Sequence, residues 1–435
     1  MATHDAEVIV VGGGPAGAAS AWFLARAGID VLVVDRARFP RDKPCAEYLS
    51  PQASRILNEM GVLGAIEAAG AAQLSGMRVR APNGVVIHGE FVSSHGFRGF
   101  RDCGLALPRR QLDALLLDRA RHAGARVLEQ SVVRDLARSG TGRVEGIDIE
   151  THAGRRTLRA PLVVGADGLR TVVGRRLGLT RTGRFPRRVA VVAHYGGVDG
   201  MGRCGEMHVD ASGYLGLADV GHGMTNVAVV VPAAAARAMG GAPGDFLDQW
   251  IAGRPHLARR FAHARRLTTA RATGPFNTRA RRAWTPGCAL VGDAAEFFDP
   301  FTGEGIYAAL HGGELLTQYA FEAARAPTTR RHDIALAAYD RCLRHAFRGK
   351  RLVERIVGTA VAFPSLLDRT ARVLAHRRDM ADLLVGVTGD FVPPSEVLRP
   401  GFIVRLLAAL AHPGAGVRGS ETTPGEPVPG RLTNS

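Results

Sequence analysis

Three groups of residues have the types and spacing to do chemistry. Gly12, Gly14 and Gly17 form G-x-G-x-x-G between a short β-branched run and a segment of strong helix formers. In such a unit the first glycine permits a tight turn and the second lets the backbone approach a pyrophosphate. The third lets helix pack on strand, so the diphosphate meets the positive helix N-terminus. Asp35, with Arg36 beside it, ends the next apolar run, where a carboxylate can bind a ribose hydroxyl. The second group lies far along the chain, in GDAAEFFDPFTGEGIYAAL, where Asp293 follows an apolar run and Pro300, Thr302, Gly303 and Gly305 lead into a helix. A loop of that kind offers N–H groups and a helix dipole to an electron-rich ring edge, as the N1 and C2 carbonyl of a reduced flavin require. FAD, held non-covalently, therefore fits better than NAD. The third group is FPRDKPCAEYLSP, residues 39–51, a charged, proline-broken loop carrying Cys45, Glu47 and Tyr48.

The elements that must position these groups are legible in outline. EVIVVGGGPAGAASAWFLARAGIDVLVVDR reads as strand, glycine turn, helix and strand, a βαβ unit whose helix closes at Gly28. RRQLDALLLDRARHAG spaces Leu112, Leu115, Leu116 and Ala120 along one helix face, and RVLEQ follows as a strand. RVEGIDIETHAGRRTLRAPLVVGADG alternates about a turn at 152–155, a hairpin leading into a further buried strand. From about 181 to 284 the pattern changes to strands separated by turn residues, which predicts an inserted antiparallel sheet. The expected fold is α/β: a Rossmann-like three-layer FAD-binding domain (1–80, 101–180 and 285–325) and an antiparallel substrate domain (81–100 and 181–284). A helical region (326–411) and a disordered tail (412–435) rich in Pro, Gly, Ser and Thr complete it.

Composition sets the outer bounds. With 435 residues the chain exceeds the ~250–300 at which single cores stop growing, so two domains are expected. The net charge of +16 comes from arginines scattered in short clusters without aromatic interleaving, a pattern that argues against nucleic-acid binding. Five cysteines with no CxxC pair and no His cluster at metal spacing predict a reducing cytosol and no metal. No apolar run approaches the ~20 residues of a transmembrane helix, and the opening residues lack a signal-peptide pattern. The expected location is cytoplasmic. The basic balance and the helical stretch LRPGFIVRLLAALAH leave room for peripheral contact at a membrane.

The βαβ unit with Asp35, RRQLD, VVGADGLRTVVGRRLG and GDAAEFFDPFTGEGI, in that order, resemble the flavoprotein monooxygenase superfamily of the para-hydroxybenzoate hydroxylase fold. FPRDKPCAEYLSP and DPFTGEGI are similar to its geranylgeranyl reductase-like branch, which shades into flavin-dependent halogenases. The resemblance spans roughly residues 7–360. It implies that Gly12, Gly14 and Gly17 line the pyrophosphate, Asp35 holds the adenosine ribose and Arg109 reaches the diphosphate. It further implies that Asp167 and Gly168 sit behind the cofactor, Asp293 binds the ribityl chain, and Pro300, Thr302, Gly303 and Gly305 border the ring. Residues 43–49 would then lie beside the flavin, with Cys45 and Glu47 in the active-site wall and Tyr48 shaping the pocket.

The reaction is less specified than the cofactor. Prenyl reductases of this branch carry Y-x-W-x-F-P, whereas GYLGLADVG keeps Tyr214 but has Gly216 in place of the tryptophan. The Trp-x-Trp-x-Ile-Pro motif of many halogenases is absent, since Trp22, Trp250 and Trp284 stand alone. The favoured expectation is therefore an FAD monooxygenase that hydroxylates a lipophilic phenolic or polyketide-derived aromatic, with Cys45, Glu47 and Pro300 as catalytic residues and Tyr48, His208 and Tyr214 as substrate contacts. Its alternatives are reduction of isoprenoid double bonds, halogenation, and an electron-transfer or binding flavoprotein. With one G-x-G-x-x-G only, NAD(P)H would visit transiently as electron donor, or a protein partner would serve.

Overall fold

The computed structural model describes residues 4–93 and 96–411. The tail expected at 412–435 lies outside the described residues. The cofactor domain is built on β1 (Val8–Val11), α1 (Pro15–Arg26), β2 (Val31–Val34), α2 (Arg109–His122), β3 (Arg126–Leu128), β4 (Leu162–Gly165), β5 (Cys288–Leu290) and α3 (Gly305–Ala324). The strands lie in the order β5-β4-β1-β2-β3, all parallel, with Trp284–Thr285 added antiparallel at the β5 edge. β1 is central, pairing Val8 with Val31 on one side and Leu162 on the other, and every residue of β1, β2 and β4 is buried. That double burial explains the unbroken β-branched runs: each Val or Ile so buried contributes ~1.5–3 kcal/mol, and there is no solvent face to make polar. α1 packs against both α2 and α3. An antiparallel sheet of Val132–Arg138, Val144–Thr151 and Gly154–Arg159 joins the same core through Ile147 and Ile149.

The second sheet holds Arg265–Arg266, Arg188–Gly196, Met224–Pro232, Gly213–Asp219, Cys204–Asp210, Gly76–Arg80 and Val86–Glu90 in that order, with Arg271–Thr273 also paired to Arg188–Gly196. Its side chains alternate with the pleat. Ala190, Val192, Met207, Tyr214, Ala228 and Val230 join the core beneath the C-terminal helices, while Val191, Leu215, Leu217, Val227 and Val229 pack on the helices Pro243–Ala252 and Pro255–Arg260. Gly76–Arg80, assigned from sequence to the cofactor domain, is hydrogen-bonded in parallel to Cys204–Asp210 and belongs to this sheet. Met77 and Val79 need its apolar face, so the chain enters the second domain about five residues before the boundary drawn from composition.

Among the described residues five helices follow α3: Thr329–Ala362, Pro364–His376, Arg378–Thr388, Ser395–Leu398 and Pro400–Ala411. Arg378–Thr388 lies against the edge strand Val86–Glu90 so closely that a Cβ at Gly89 would come within 2.8 Å of the Ala381 carbonyl oxygen. Helices thereby cover one edge of the sheet that would otherwise expose unpaired backbone.

Candidate active site

The glycine turn between β1 and α1 has the geometry its spacing predicts. Gly12 has φ +105°, and a Cβ there would lie 2.5 Å from the Ala166 carbonyl oxygen; a Cβ at Gly17 would lie 1.8 Å from that of Gly12. Gly14 is the N-cap of α1 with Pro15 as its first residue, and no side chain among the described residues caps this end, so the N–H groups of Ala16 and Gly17 are left for a ligand. A Cβ on Gly14 would project towards the guanidinium groups of Arg41 and Arg109, at 3.6 and 3.7 Å. Both arginines are held by one buried carboxylate. Asp113 accepts from Arg109 Nε at 2.6 Å and Nη2 at 2.7 Å, and from Arg41 Nη1 at 2.7 Å. Burial raises the Asp113 pKa, but Arg109 and then Arg41 outweigh it and hold it below the ordinary carboxylate value. The two cations are thus fixed across from an uncapped helix N-terminus, an arrangement shaped for a diphosphate.

Asp35 Oδ2 accepts from the Gly13 N–H at 2.7 Å and Oδ1 from the Ala37 N–H at 2.8 Å, so the carboxylate braces the turn and keeps lone pairs towards the cleft. Asp35, Arg36, Gly12, Gly14 and Asp167 line one cavity. Asp167 caps the short helix Val172–Arg176 through Oδ2, while its buried Oδ1 has no partner among the described residues, and burial raises its pKa. This cavity runs into a second through Gly14, Lys43, Pro44 and Ala166.

The second cavity lies between the cofactor domain and the pleated face of the second sheet. Cys45, Glu47, Tyr48, Asp293, Pro300, Gly303 and Gly305 line one side; Met77, Val192, Met207, Val230 and Phe276 line the other. Asp293 makes no hydrogen bond among the described residues, and burial raises its pKa while Lys43 and Arg109 oppose. Lys43 has no ion-pair partner among the described residues; burial first, then Arg109, lowers its pKa. Pro300 and Thr302 form a 3-10 turn capped by Asp299, and Gly303 takes φ +73° to enter α3. Thr302 is itself buried and is not among the residues that line the cavity. An uncapped helix N-terminus, an unpartnered carboxylate beside two cations, and a glycine cradle too tight for side chains fit FAD. They could hold its diphosphate, ribityl chain and ring.

Glu47 is the most constrained residue of the site. Its backbone is left-handed at φ +62°, a region uncommon for a side-chain-bearing residue, and it is 2% exposed. Oε1 accepts from the Arg109 N–H at 2.7 Å, and Oε2 from Asn226 Nδ2 at 2.9 Å and His194 Nε2 at 2.6 Å. Asn226 also donates to the Cys45 carbonyl. His194 and Asn226 are register partners on adjacent strands of the second sheet, so one loop residue ties the two domains together. Burial lowers the His194 pKa, but the bond and charge of Glu47 override it and the net shift is upward. The Cys45 sulfur receives the Glu47 N–H at 3.3 Å and lies beside Arg109.

Not every expected contact is at the cavity. His208 alternates away from Met207 and faces the helices, bonded to Glu206 at 2.9 Å and stacked on His256, so the expectation that it touches substrate is corrected. Tyr214 does border the cavity, but its hydroxyl donates to Asp299 at 2.8 Å, and burial followed by the Asp299 charge raises its pKa well above 10. Asp299 also pairs with Arg188 at 2.7 Å, which makes Tyr214 a strut between the sheet and the 299–303 turn. Tyr48 stacks on Phe91 at 6.0 Å and packs under Gly303, with its buried hydroxyl unpartnered among the described residues. Lys43 falls in the 43–49 segment expected beside the flavin, while Arg41, Asp113, His194 and Asn226 were missed by sequence reasoning. Of these, only His194 and Asn226 left a trace, as polar residues at inward positions of otherwise apolar alternating strands.

Residues 5–317 match the model of a family described as FAD binding domain. The chain belongs to this FAD-binding family. Digeranylgeranylglycerophospholipid reductase 2 of Methanopyrus kandleri is 29% identical over 402 residues, covering 89% of this chain and 93% of that protein. Menaquinone reductase of Mycolicibacterium smegmatis is 28% identical over 412 residues, covering 89% and 92%. Among solved structures, a geranylgeranyl bacteriochlorophyll reductase-like protein from Thermoplasma acidophilum superposes with a TM-score of 0.76 at 23% identity, covering 93% of this chain and 99% of that one. The flavin-dependent halogenase CmlS gives 0.76 at 21%, covering 94% and 78%. The fold is therefore that of FAD-dependent oxidoreductases, and this chain is an enzyme of that kind. Among the described residues no helix is long and apolar enough to cross a membrane.

Proposed function

We propose that this oxidoreductase reduces carbon–carbon double bonds of a lipophilic isoprenoid compound. The observation that carries the reading is the apolar half of the cavity, where Met77, Val192, Met207, Val230, Phe276 and Phe297 surround the space in front of the 300–305 loop. Relatives similar over nine-tenths of their length are named as reductases of digeranylgeranylglycerophospholipid and of menaquinone, which supports the same choice over hydroxylation. The expectation of hydroxylation leaned on the missing tryptophan at Gly216. At that position a Cβ would lie 3.3 Å from Met207 Sδ, so methionine fills the space an aromatic would take and the wall stays apolar.

In this reading the first turn of α1 with Arg41 and Arg109 holds the diphosphate, and Asp35 and Arg36 lie at the adenosine ribose. Asp293 binds the ribityl chain, and the Gly303–Gly305 backbone faces the ring edge. FAD supplies the two electrons when bound. The second-sheet face orients the hydrocarbon and excludes water, while Glu47 Oε2 and His194 Nε2 hold a proton between them at the polar end of the cavity. Electrons would come from transient NAD(P)H or from a protein partner. The test is mass spectrometry of products after incubating the FAD-loaded protein with a reductant and geranylgeranyl lipids or prenylated quinones, without air and with air. Gain of two hydrogens per reduced bond is expected. A product heavier by one oxygen in air, with no hydrogenated product, would overturn the reading.

A further inference from the structure

We infer that the outer face of the long helix Thr329–Ala362, with the start of the helix that follows it, docks on an anionic lipid bilayer. Leu352, Ile356, Phe363 and Leu366 are large apolar side chains within one short stretch of chain, and each is 44–52% exposed. Leu352 and Ile356 are four apart on one face of the helix, and Phe363, the extended residue that joins it to the next helix, follows in the same stretch of chain. Phe185, 63% exposed, extends the patch, its ring 6.3 Å from that of Phe363. Arg348, Arg355 and Arg369 are exposed among these residues. The two acidic side chains of this stretch are not open to solvent on that face: Glu354 is half-buried beside Glu304, where desolvation together with the Glu304 charge raises its pKa, and half-buried Asp368 accepts from the Asn83 N–H. Apolar residues interleaved with arginine and free of exposed carboxylate form the pattern that inserts shallowly into a bilayer while pairing with anionic headgroups.

The opposite face of the same helix carries Val353, Val357 and Val361 into the core cluster that includes Phe276 and Phe297, both of which wall the cavity. A bilayer on the outer face would therefore sit one helix away from the apolar half of the active site. The inference stands on exposure and charge, and is independent of which reaction the cavity performs.

The FAD-loaded chain should sediment with phosphatidylcholine vesicles containing one-third phosphatidylglycerol, and far less with phosphatidylcholine alone or at high salt. Leu352→Ser, Ile356→Ser and Phe363→Ser combined change no charge and should weaken partitioning about tenfold or more, with flavin absorbance and melting unchanged. Arg348→Glu with Arg355→Glu should also weaken it, whereas Arg155→Glu with Arg156→Glu, on the distant hairpin, should not. Three results would overturn the proposal. One is wild-type partitioning by the triple-serine variant; another is equal loss from either charge reversal, which would mean only the field of the whole chain. The third is a dimer in sedimentation velocity that the serine variant dissolves, which would make a second copy the occupant.

Discussion

Glu47→Gln isolates the charge in the tie between the two domains. Glutamine keeps an acceptor near Arg109 and Asn226 but replaces the carboxylate that His194 Nε2 meets at 2.6 Å. A hydrogen bond involving a charged group is worth ~1.5–3 kcal/mol and a neutral one ~0.5–1.5, so the substitution should cost about 1–2 kcal/mol while His194 is protonated. Burial opposes the His194 charge and Glu47 overrides it, so its folded pKa lies above the ~6.5 of the unfolded chain. The pair's contribution is therefore complete below pH ~6.5 and disappears as pH rises through the folded pKa. Melting curves of wild type and Glu47→Gln should be furthest apart near pH 6, by ~1–4 °C for a chain of this size, and should converge by pH 9. His194→Asn should show no such pH-dependent loss. A gap of constant size from pH 6 to 9, or one that widens, would refute the ion-pair account.

Asp293→Ala should weaken FAD binding at least tenfold in a flavin-fluorescence titration, and an unchanged affinity would remove Asp293 from the cofactor site. Asp113→Asn leaves the buried Arg109 and the half-buried Arg41 without their anchor and should cost ~3–5 kcal/mol in thermal unfolding, with weaker FAD binding in the same preparation; loss of neither would show that Arg41 and Arg109 do not depend on it. Gly216→Trp should displace Met207 and shorten the apolar cavity, raising KM for a long isoprenoid by roughly tenfold or more while FAD affinity holds. Unaltered kinetics would place the substrate elsewhere.

What the sequence disclosed was local. The turn at Gly12–Gly17, the end of β2 at Asp35 and the 300–305 loop are each written in a few consecutive residues, because backbone conformation alone demands them. The two-sided burial of β1, β2 and β4 was equally plain in their valines. The rest of the site is made by contacts across long stretches of chain: Arg41 reaches Asp113 over 72 positions and Glu47 reaches His194 over 147. Nothing adjacent to either partner signals the other. His208 misled because a polar residue on a strand of the substrate domain does not declare its face, whereas its alternation with Met207 does once the register is known. The domain boundary erred for a related reason, since Gly76–Arg80 finds its parallel partner only in residues 204–208.

That parallel pairing has a consequence for biosynthesis. Ser75 donates to the Arg203 carbonyl across 128 positions, and the strand beside it has no neighbour on that side until residues 204–208 have been made. At ~5–20 residues per second the hairpin of Gly76–Arg80 and Val86–Glu90 waits roughly 6–24 s after its own translation, with an apolar face bare. Its other shield, the helix Arg378–Thr388, is made later still. The nascent chain thus carries an open sheet edge through most of its synthesis, and heterologous yield should respond to slower elongation and to holdase chaperones more than to FAD supply.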